Sequence, residues 1–273
     1  MSVSVESSPR DAQTGGAKLA EKELVRRQFG AHASAYAGSK VHAQGASLAR
    51  LVELLRPQLT WQVLDVATAA GHTAFALAPY VAHVLATDIT PEMLPVAACV
   101  ATEKGITNVE LETADAEALP YTAGRFDLVT CRIAAHHFPN IPRFLAEAVR
   151  VLRPGGRLPV VDNVVPDDAD AAAYVNDFEK LRDPSHVRAL SVGEWLAAFA
   201  AAGLVVEHHE TAAKAMEFQP WAERMGAAPD TVAELRRLLL EAPPAAAAYF
   251  AVESVGDDLL FTLSEAIVIG RKG

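Results

Sequence analysis

The amino-acid sequence predicts an α/β protein built on an open, doubly wound, mostly parallel sheet. Three observations point there. Short Val-, Leu- and Ile-rich runs of strand length recur along the chain, longer segments of helical periodicity lie between them, and the first run ends in a cluster of small residues. With 273 residues, 51% of them apolar, the chain is long enough for one large domain with a sizeable core.

Residues 1–20 mix Ser, Gly, Asp, Lys and Glu without periodicity and read as a mobile tail. A helical pattern follows from Lys22 to Phe29, and a second from Ser47 to Leu55 carries Leu48, Leu51, Val52 and Leu55 on one stripe. These fall in a helical cap over 21–57. The strand-length runs of a core over 58–165 are Gln62–Ala67, His83–Thr87, Val109–Thr113, Phe126–Ile133 and Arg157–Val165. Between them, Thr90-Pro91-Glu92 places an N-cap residue and a first-turn proline at the head of a helix running towards Lys104-Gly105. The amphipathic stretch from Ile141 to Leu152 stops before Pro154-Gly155-Gly156.

After Val165 the rhythm breaks. Residues 166–203 read as a lid insertion, polar and partly helical up to Leu190, with Ser191-Val192-Gly193-Glu194 as a capping box for a helix to Ala202. Over 204–273, Leu204–Glu210 and Leu259–Gly270 read as late strands around a helix from Asp230 to Leu240.

A formal charge of −10 excludes nucleic acid as the main partner, because phosphate binding needs a basic surface. Cys99 and Cys131 lie in apolar stretches without metal-ligand spacing, so both read as reduced core thiols and no metal site is expected. The first residues lack the apolar segment of a secretory signal, and no apolar run reaches membrane-spanning length. A soluble, cytoplasmic protein is expected, and a homodimer is compatible with the sequence.

The first strand runs into Val63-Leu64-Asp65-Val66-Ala67-Thr68-Ala69-Ala70-Gly71, where small residues permit a tight turn and close approach of a ligand to the backbone. The second ends in Ala86-Thr87-Asp88, a carboxylate placed to accept from both ribose hydroxyls of an adenosine-containing ligand. After the third come Asp115 and Ala116, a side-chain oxygen and a backbone N–H suited to an adenine edge. An ordinary turn with a strand-end Asp is the plain alternative, and the spacing within a βαβ unit weakens it.

With these motifs in this order, the chain resembles the class I S-adenosylmethionine-dependent methyltransferases of the ubiquinone/menaquinone-biosynthesis-like group, from about Phe29 to the C-terminus. The resemblance implies a Rossmann-like, seven-stranded, mostly parallel sheet with a terminal antiparallel hairpin and a helical N-terminal cap. It implies S-adenosyl-L-methionine as cofactor, S-adenosyl-L-homocysteine as product, and a small-molecule methyl acceptor. Asp65, Ala67, Ala69 and Gly71 match the part that binds the methionine end. Asp88 matches the ribose ligand, Met93 the apolar residue on adenine, and Asp115 and Ala116 the adenine contacts. Ile89 and Arg132 complete the cofactor set, and Tyr36 in the cap either reaches the cofactor's carboxylate or packs. The family favours Gly where this chain has Ala67 and Ala69, and an alanine in the left-handed region is strained.

A narrower resemblance, to a bacterial subgroup, lies in Arg132-Ile133-Ala134-Ala135-His136-His137-Phe138 and in Lys180 to Arg188. His136 and His137 follow the fourth strand, where an imidazole can take a proton from the acceptor; capping or packing is the alternative. His186 and Arg188 either bind an acidic substrate group or pair with Asp183, and Trp221 is either a substrate wall or core. A lone pair of cysteines offers no thiolate cluster, which disfavours arsenic as acceptor. Two other readings stay open: a cofactor-binding regulatory protein that no longer methylates, and a nicotinamide-dependent oxidoreductase. The second is disfavoured by the missing three-glycine turn.

Overall fold

The computed structural model describes residues 9–37, 45–256 and 258–273, and within the first helix the side chains of residues 16–33. A long helix α1 (Pro9–Ala37) and α2 (Ala46–Leu55) precede the alternating core. That core runs β1 (Gln62–Val66), α3 (His72–Leu77), β2 (His83–Asp88), α4 (Met93–Glu103), β3 (Val109–Thr113), β4 (Phe126–Arg132), α5 (Ile141–Val151) and β5 (Leu152–Val164). Helices α6 (Ala169–Arg182) and α7 (Val192–Ala201) follow, then β6 (Leu204–Glu217), α8 (Phe218–Glu223), α9 (Pro229–Leu240) and α10 (Pro244–Phe250). A short β7 (Glu253–Val255) and a long β8 (Asp258–Lys272) close the chain.

The strand order is β3-β2-β1-β4-β5-β8-β6, with β7 paired to β8 off this path. Strands β1 to β5 are parallel, whereas β8 runs antiparallel to β5, β6 and β7. The central strand β4 is buried along its whole length, as a parallel strand covered on both faces should be. One face buries Phe144, Leu145, Trp195 and Phe199 of α5 and α7; the other buries Leu51, Leu55, Phe75, Ala97 and Val100 of α2, α3 and α4. A third core stands apart. It gathers Phe178 from α6, Trp221 from α8, Leu235 from α9, Phe250 from α10 and Phe261 from β8.

The doubly wound sheet is therefore as expected, with an eighth, three-residue strand beyond the seven. That strand is Glu-Ser-Val, exposed throughout, and carries no apolar run that would mark it. Helix α1 takes in residues 9–20, assigned above to a tail; Gly15 and Gly16 and the absence of an apolar stripe hide it in the sequence. The lid expected over 166–203 is divided: α6 joins the third core, while Trp195 and Phe199 place α7 against the sheet. Strands β6 and β8 outrun the expected Glu210 and start before Leu259 because their outer halves pair through the main chain, from Thr211↔Ala266 to Glu217↔Leu260. These outer halves extend past the carboxyl end of β5, and there β8 contributes Leu259, Phe261 and Leu263 to the third core.

At the head of α3, Gly71 adopts φ +85°, and a Cβ built there would lie 2.3 Å from Cζ of Phe75. Gly71→Ala adds left-handed strain and a clash with a core ring, so it should lower unfolding stability by about 2–4 kcal/mol. Urea denaturation followed by circular dichroism measures this; an unchanged midpoint would show that the turn is not so constrained.

Candidate functional site

The strand order reverses between β1 and β4, and a cavity opens at their carboxyl ends, where open α/β sheets bind ligands. The seam is tied by Asp65. Its Oδ2 accepts from Thr68 Oγ1 at 2.6 Å and its Oδ1 from Thr130 Oγ1 at 2.6 Å, joining β1, the following turn and β4. Burial pushes the Asp65 carboxyl up to about 6, against the pull of these hydrogen bonds. Asp65 thus lies beneath the cavity, and it supports the turn that faces it.

That turn is strained. Ala67 (φ +53°) and Ala69 (φ +47°) both sit in the left-handed region, as does Ile133 (φ +53°) at the end of β4. All three line the cavity. For alanine such a conformation costs about 1–2 kcal/mol, and for a β-branched residue it is a genuine outlier. Gly71 shapes the same turn from behind; its missing side chain leaves room for Phe75.

Asp88 closes the turn from the end of β2. Its Oδ2 accepts from the Ala69 N–H at 2.9 Å and its Oδ1 from the Thr90 N–H at 2.8 Å. Burial raises its pKa, opposed by these donors. The residue lines the cavity with Ile89, Met93, Asp115 and Ala116. Helix α1 lies across this end. Lys22, Val25 and Phe29, spaced to share one helical face, line the cavity, and Arg26 Nε donates to the Ile89 carbonyl at 3.1 Å. Lys22 Nζ sits 2.7 Å from both Asp115 Oδ2 and Glu117 Oε2.

The other end holds the histidines. His136 Nδ1 lies 2.6 Å from Asp162 Oδ1, and the His136 backbone N–H donates to Asp162 Oδ2 at 2.8 Å. Burial disfavours the imidazolium, but the Asp162 carboxylate outweighs it and the His136 pKa is raised. His137, 4.2 Å away between ring centroids, has Nδ1 3.0 Å from the Ser185 carbonyl, and burial with the charge of His136 lowers its pKa to about 4. Phe29 meets the His137 ring edge-on at 5.0 Å. Beyond them the wall is formed by Phe138, Asn163, Lys214, Met216, Trp221 and Leu263. Lys214 Nζ donates to Asn163 Oδ1 at 2.6 Å. Arg132 is buried at the junction of the two ends, its Nε donating to Thr73 Oγ1 at 3.1 Å, and burial lowers its pKa.

The cavity brings together Ala67, Ala69, Asp88, Ile89, Met93, Asp115, Ala116, Arg132, His136, His137 and Trp221. Trp221 is also core, stacked on Phe178 at 5.0 Å. His186 and Arg188 are not on its wall. His186 is buried with Nε2 2.8 Å from Asn176 Oδ1, and burial plus the neighbouring histidine charges lower its pKa to about 2, so it presents no cation. Arg188 pairs with Glu194. Tyr36 lies in α1, but its side chain is outside the described residues. Cys131 is buried, and its thiol is pushed up by burial and nearby carboxylates; Cys99 is exposed, against expectation. No metal-binding group of His, Cys, Asp and Glu occurs among the described residues. Sequence reasoning passed over Lys22, whose partners are distant in sequence. It also passed over Asp162, whose signal is an acid inside the apolar run Leu158 to Val165.

This doubly wound fold, with its cavity at the switch point of the sheet, is shared with methyltransferases among known proteins. Residues 64–160 match the family model described as a methyltransferase domain. The uncharacterized methyltransferase YcgJ of Bacillus subtilis is 35% identical over 246 residues, covering 89% of this chain and 97% of that protein. The ubiquinone/menaquinone biosynthesis C-methyltransferase UbiE of Brucella canis is 39% identical over 156 residues, 45% of this chain and 58% of that protein. A crystal structure of a putative methyltransferase from Bacillus halodurans superimposes with TM-score 0.80 at 37% identity, covering 84% of this chain and 99% of that one. The chain belongs to the methyltransferase family.

Two outcomes follow from the strained turn and the buried rings. Ala69→Gly should raise unfolding stability by about 0.5–1 kcal/mol, the relief of left-handed strain less the added chain entropy; denaturant titration decides, and a loss would mean the methyl packs usefully. Unfolded His186 gains a proton near pH 6.5 that the folded ring refuses down to about 2. Folded stability therefore falls as pH drops below 6.5. Relative to His186→Gln, the wild type should lose up to about 1.4 kcal/mol per pH unit between pH 6 and 4.5; parallel curves would refute this.

Proposed function

We propose that the protein is an S-adenosylmethionine-dependent enzyme that methylates a small molecule, leaving S-adenosylhomocysteine. The observation that carries this reading is Asp88, a buried carboxylate at the end of β2 on the cavity wall, opposite the small-residue turn. The residues fit the group. Ala67, Thr68, Ala69 and Ala70 present main chain with no side chain larger than threonine. Asp88 would receive the ribose hydroxyls, Met93 would pack against the base, and Asp115 with the Ala116 N–H would meet the base edge. Lys22 holds α1 across that end through Asp115 and Glu117. Arg132 and the turn would hold the methionine part.

Bound S-adenosylmethionine supplies an electrophilic methyl group on a sulfonium. The protein's part is alignment, exclusion of water and a route for the acceptor's proton. Helix α1 and the third core both contribute to the cavity wall, and the far wall is mostly apolar with Asn163 and Lys214 as its polar groups, which suits a small acceptor. No helix among the described residues is long and apolar enough to cross a membrane.

Isothermal calorimetry tests the reading. One-to-one binding of S-adenosylmethionine and of S-adenosylhomocysteine is expected. Asp88→Ala should weaken both about 10- to 100-fold, since a hydrogen bond to a charged acceptor contributes about 1.5–3 kcal/mol. Binding of a nicotinamide dinucleotide in their place, or of neither, would overturn it.

A further inference from the structure

Asp162 is an ionisable residue in the interior of β5, 2% exposed, and it faces the ring of His136. Its surroundings show what it does there. Oδ2 takes the His136 backbone N–H at 2.8 Å, and Oδ1 takes the Asn163 N–H at 2.9 Å and the His136 Nδ1 at 2.6 Å. One carboxylate therefore grips both the main chain and the ring of the same residue. A carboxylate only accepts, so Nδ1 carries the hydrogen and the neutral ring keeps its lone pair on Nε2. Among the described residues nothing hydrogen-bonds to Nε2, while the ring lines the cavity. The segment that delivers it is strained: Ile133, three residues earlier, is held at φ +53°, with its N–H on the Val161 carbonyl of β5 at 2.7 Å. Strain of this kind persists only where the surroundings over-determine it. From the far side the chain closes on the same turn, where the His136 carbonyl accepts from the Val187 and Arg188 N–H groups, each at 2.9 Å.

Resting on the methyltransferase reading, we infer that Asp162 is a positioning residue that holds His136 as a general base, and that the acceptor is a hydroxyl or carbon acid that must lose its proton to be methylated. His136 takes that proton through Nε2 while the acceptor's oxygen or carbon forms its bond to the methyl carbon. The methyl–sulfur electron pair passes to sulfur, which leaves as a neutral thioether, and the proton is later released to water. Charge balances: one positive charge leaves sulfur and one proton appears on His136. Asp162 offsets the imidazolium so formed, at a separation set before the reaction begins. The neighbouring ring takes the complementary part. His137 donates through Nδ1 to the Ser185 carbonyl and stays neutral, so its own Nε2 can accept from the acceptor without competing for the proton. Acceptors with a free lone pair and no proton to lose would have no use for this pair.

The charged and titratable groups around His136 are Asp162 on β5, Glu179 on α6, Asp183 after it, and the His137 and His186 rings. Nuclear magnetic resonance of the histidine rings in the full, ligand-free chain gives the first test. His136 should show the tautomer with hydrogen on Nδ1, and Asp162→Asn should lower its midpoint by at least about one pH unit. The opposite tautomer, or an unmoved midpoint, would overturn the proposal. The second test is release of S-adenosylhomocysteine with a panel of phenols, 1,3-diketones, amines and thiols. Transfer to phenols or diketones should rise with pH to a plateau, and His136→Gln should cost at least about 100-fold in kcat with little change in the KM for S-adenosylmethionine. Asp162→Asn should cost a comparable factor and shift the rising limb to lower pH, with Asp162→Glu restoring part of the rate. Transfer only to amines or thiols, transfer to none of the panel, or a limb indifferent to Asp162 would overturn it. Intact calorimetric binding of S-adenosylmethionine in those cases would leave the cofactor assignment standing, and its loss would remove both.

Discussion

The hydrogen bonds of Asp65 hold the place where two neighbouring parallel strands send their chains to opposite faces of the sheet. After β1 the chain enters α3 and the core of one face; after β4 it proceeds to α5 and the core of the other. The gap left at that parting is the cavity, and Thr68 and Thr130, one from each side, are clamped to a single carboxylate. A charge at that depth is costly, which is why burial drives the Asp65 pKa upward. The two hydroxyl donors make it tolerable, and in return the turn from Ala67 to Gly71 has a fixed base. Everything facing the cavity from β1 and β4 takes its position from this tie.

Strain gathers around the same parting. Of the five non-glycine residues with positive φ among the described residues, Ala67, Ala69 and Ile133 lie on the cavity wall. Alanine at the first two positions keeps the left-handed backbone that glycine would adopt freely, so the shape of the turn survives a residue that disfavours it. The support comes from outside the turn: Thr68 N–H on the Thr87 carbonyl at 2.8 Å, and Ala69 N–H on Asp88. The backbone there is held by its neighbours on β2 rather than by local preference.

Much of this was legible in the sequence, for physical reasons that differ from residue to residue. The parallel strands announce themselves because burial on both faces demands unbroken apolar runs, and the strand-end Asp88 stands at a fixed distance from the turn within a βαβ unit. His136 and His137 are visible as polar residues after an apolar strand. What stays hidden depends on contacts between distant parts of the chain. Lys22 gains meaning only from Asp115 and Glu117, and the outer half of β6 exists because β8 pairs with it through the main chain. His186 and Arg188 mislead in the opposite sense: both have chemistry that suits a site, but Asn176 and Glu194 take them up away from the wall.

The extension of β6 and β8 past the sheet has a consequence for how such a protein can change over evolutionary time. The end of the cavity that meets Asp88, Met93 and Asp115 is written in residues before Pro139, whereas most of the far wall, Asn163, Lys214, Met216, Trp221 and Leu263, is written after β5 begins. The far wall stands on the third core, which shares strands with the sheet but little of its interior. Substitutions there can reshape what the cavity admits while the shared end stays as it is. A lineage can thus inherit one half of the site and improvise the other, with β8 as the hinge between conservation and novelty.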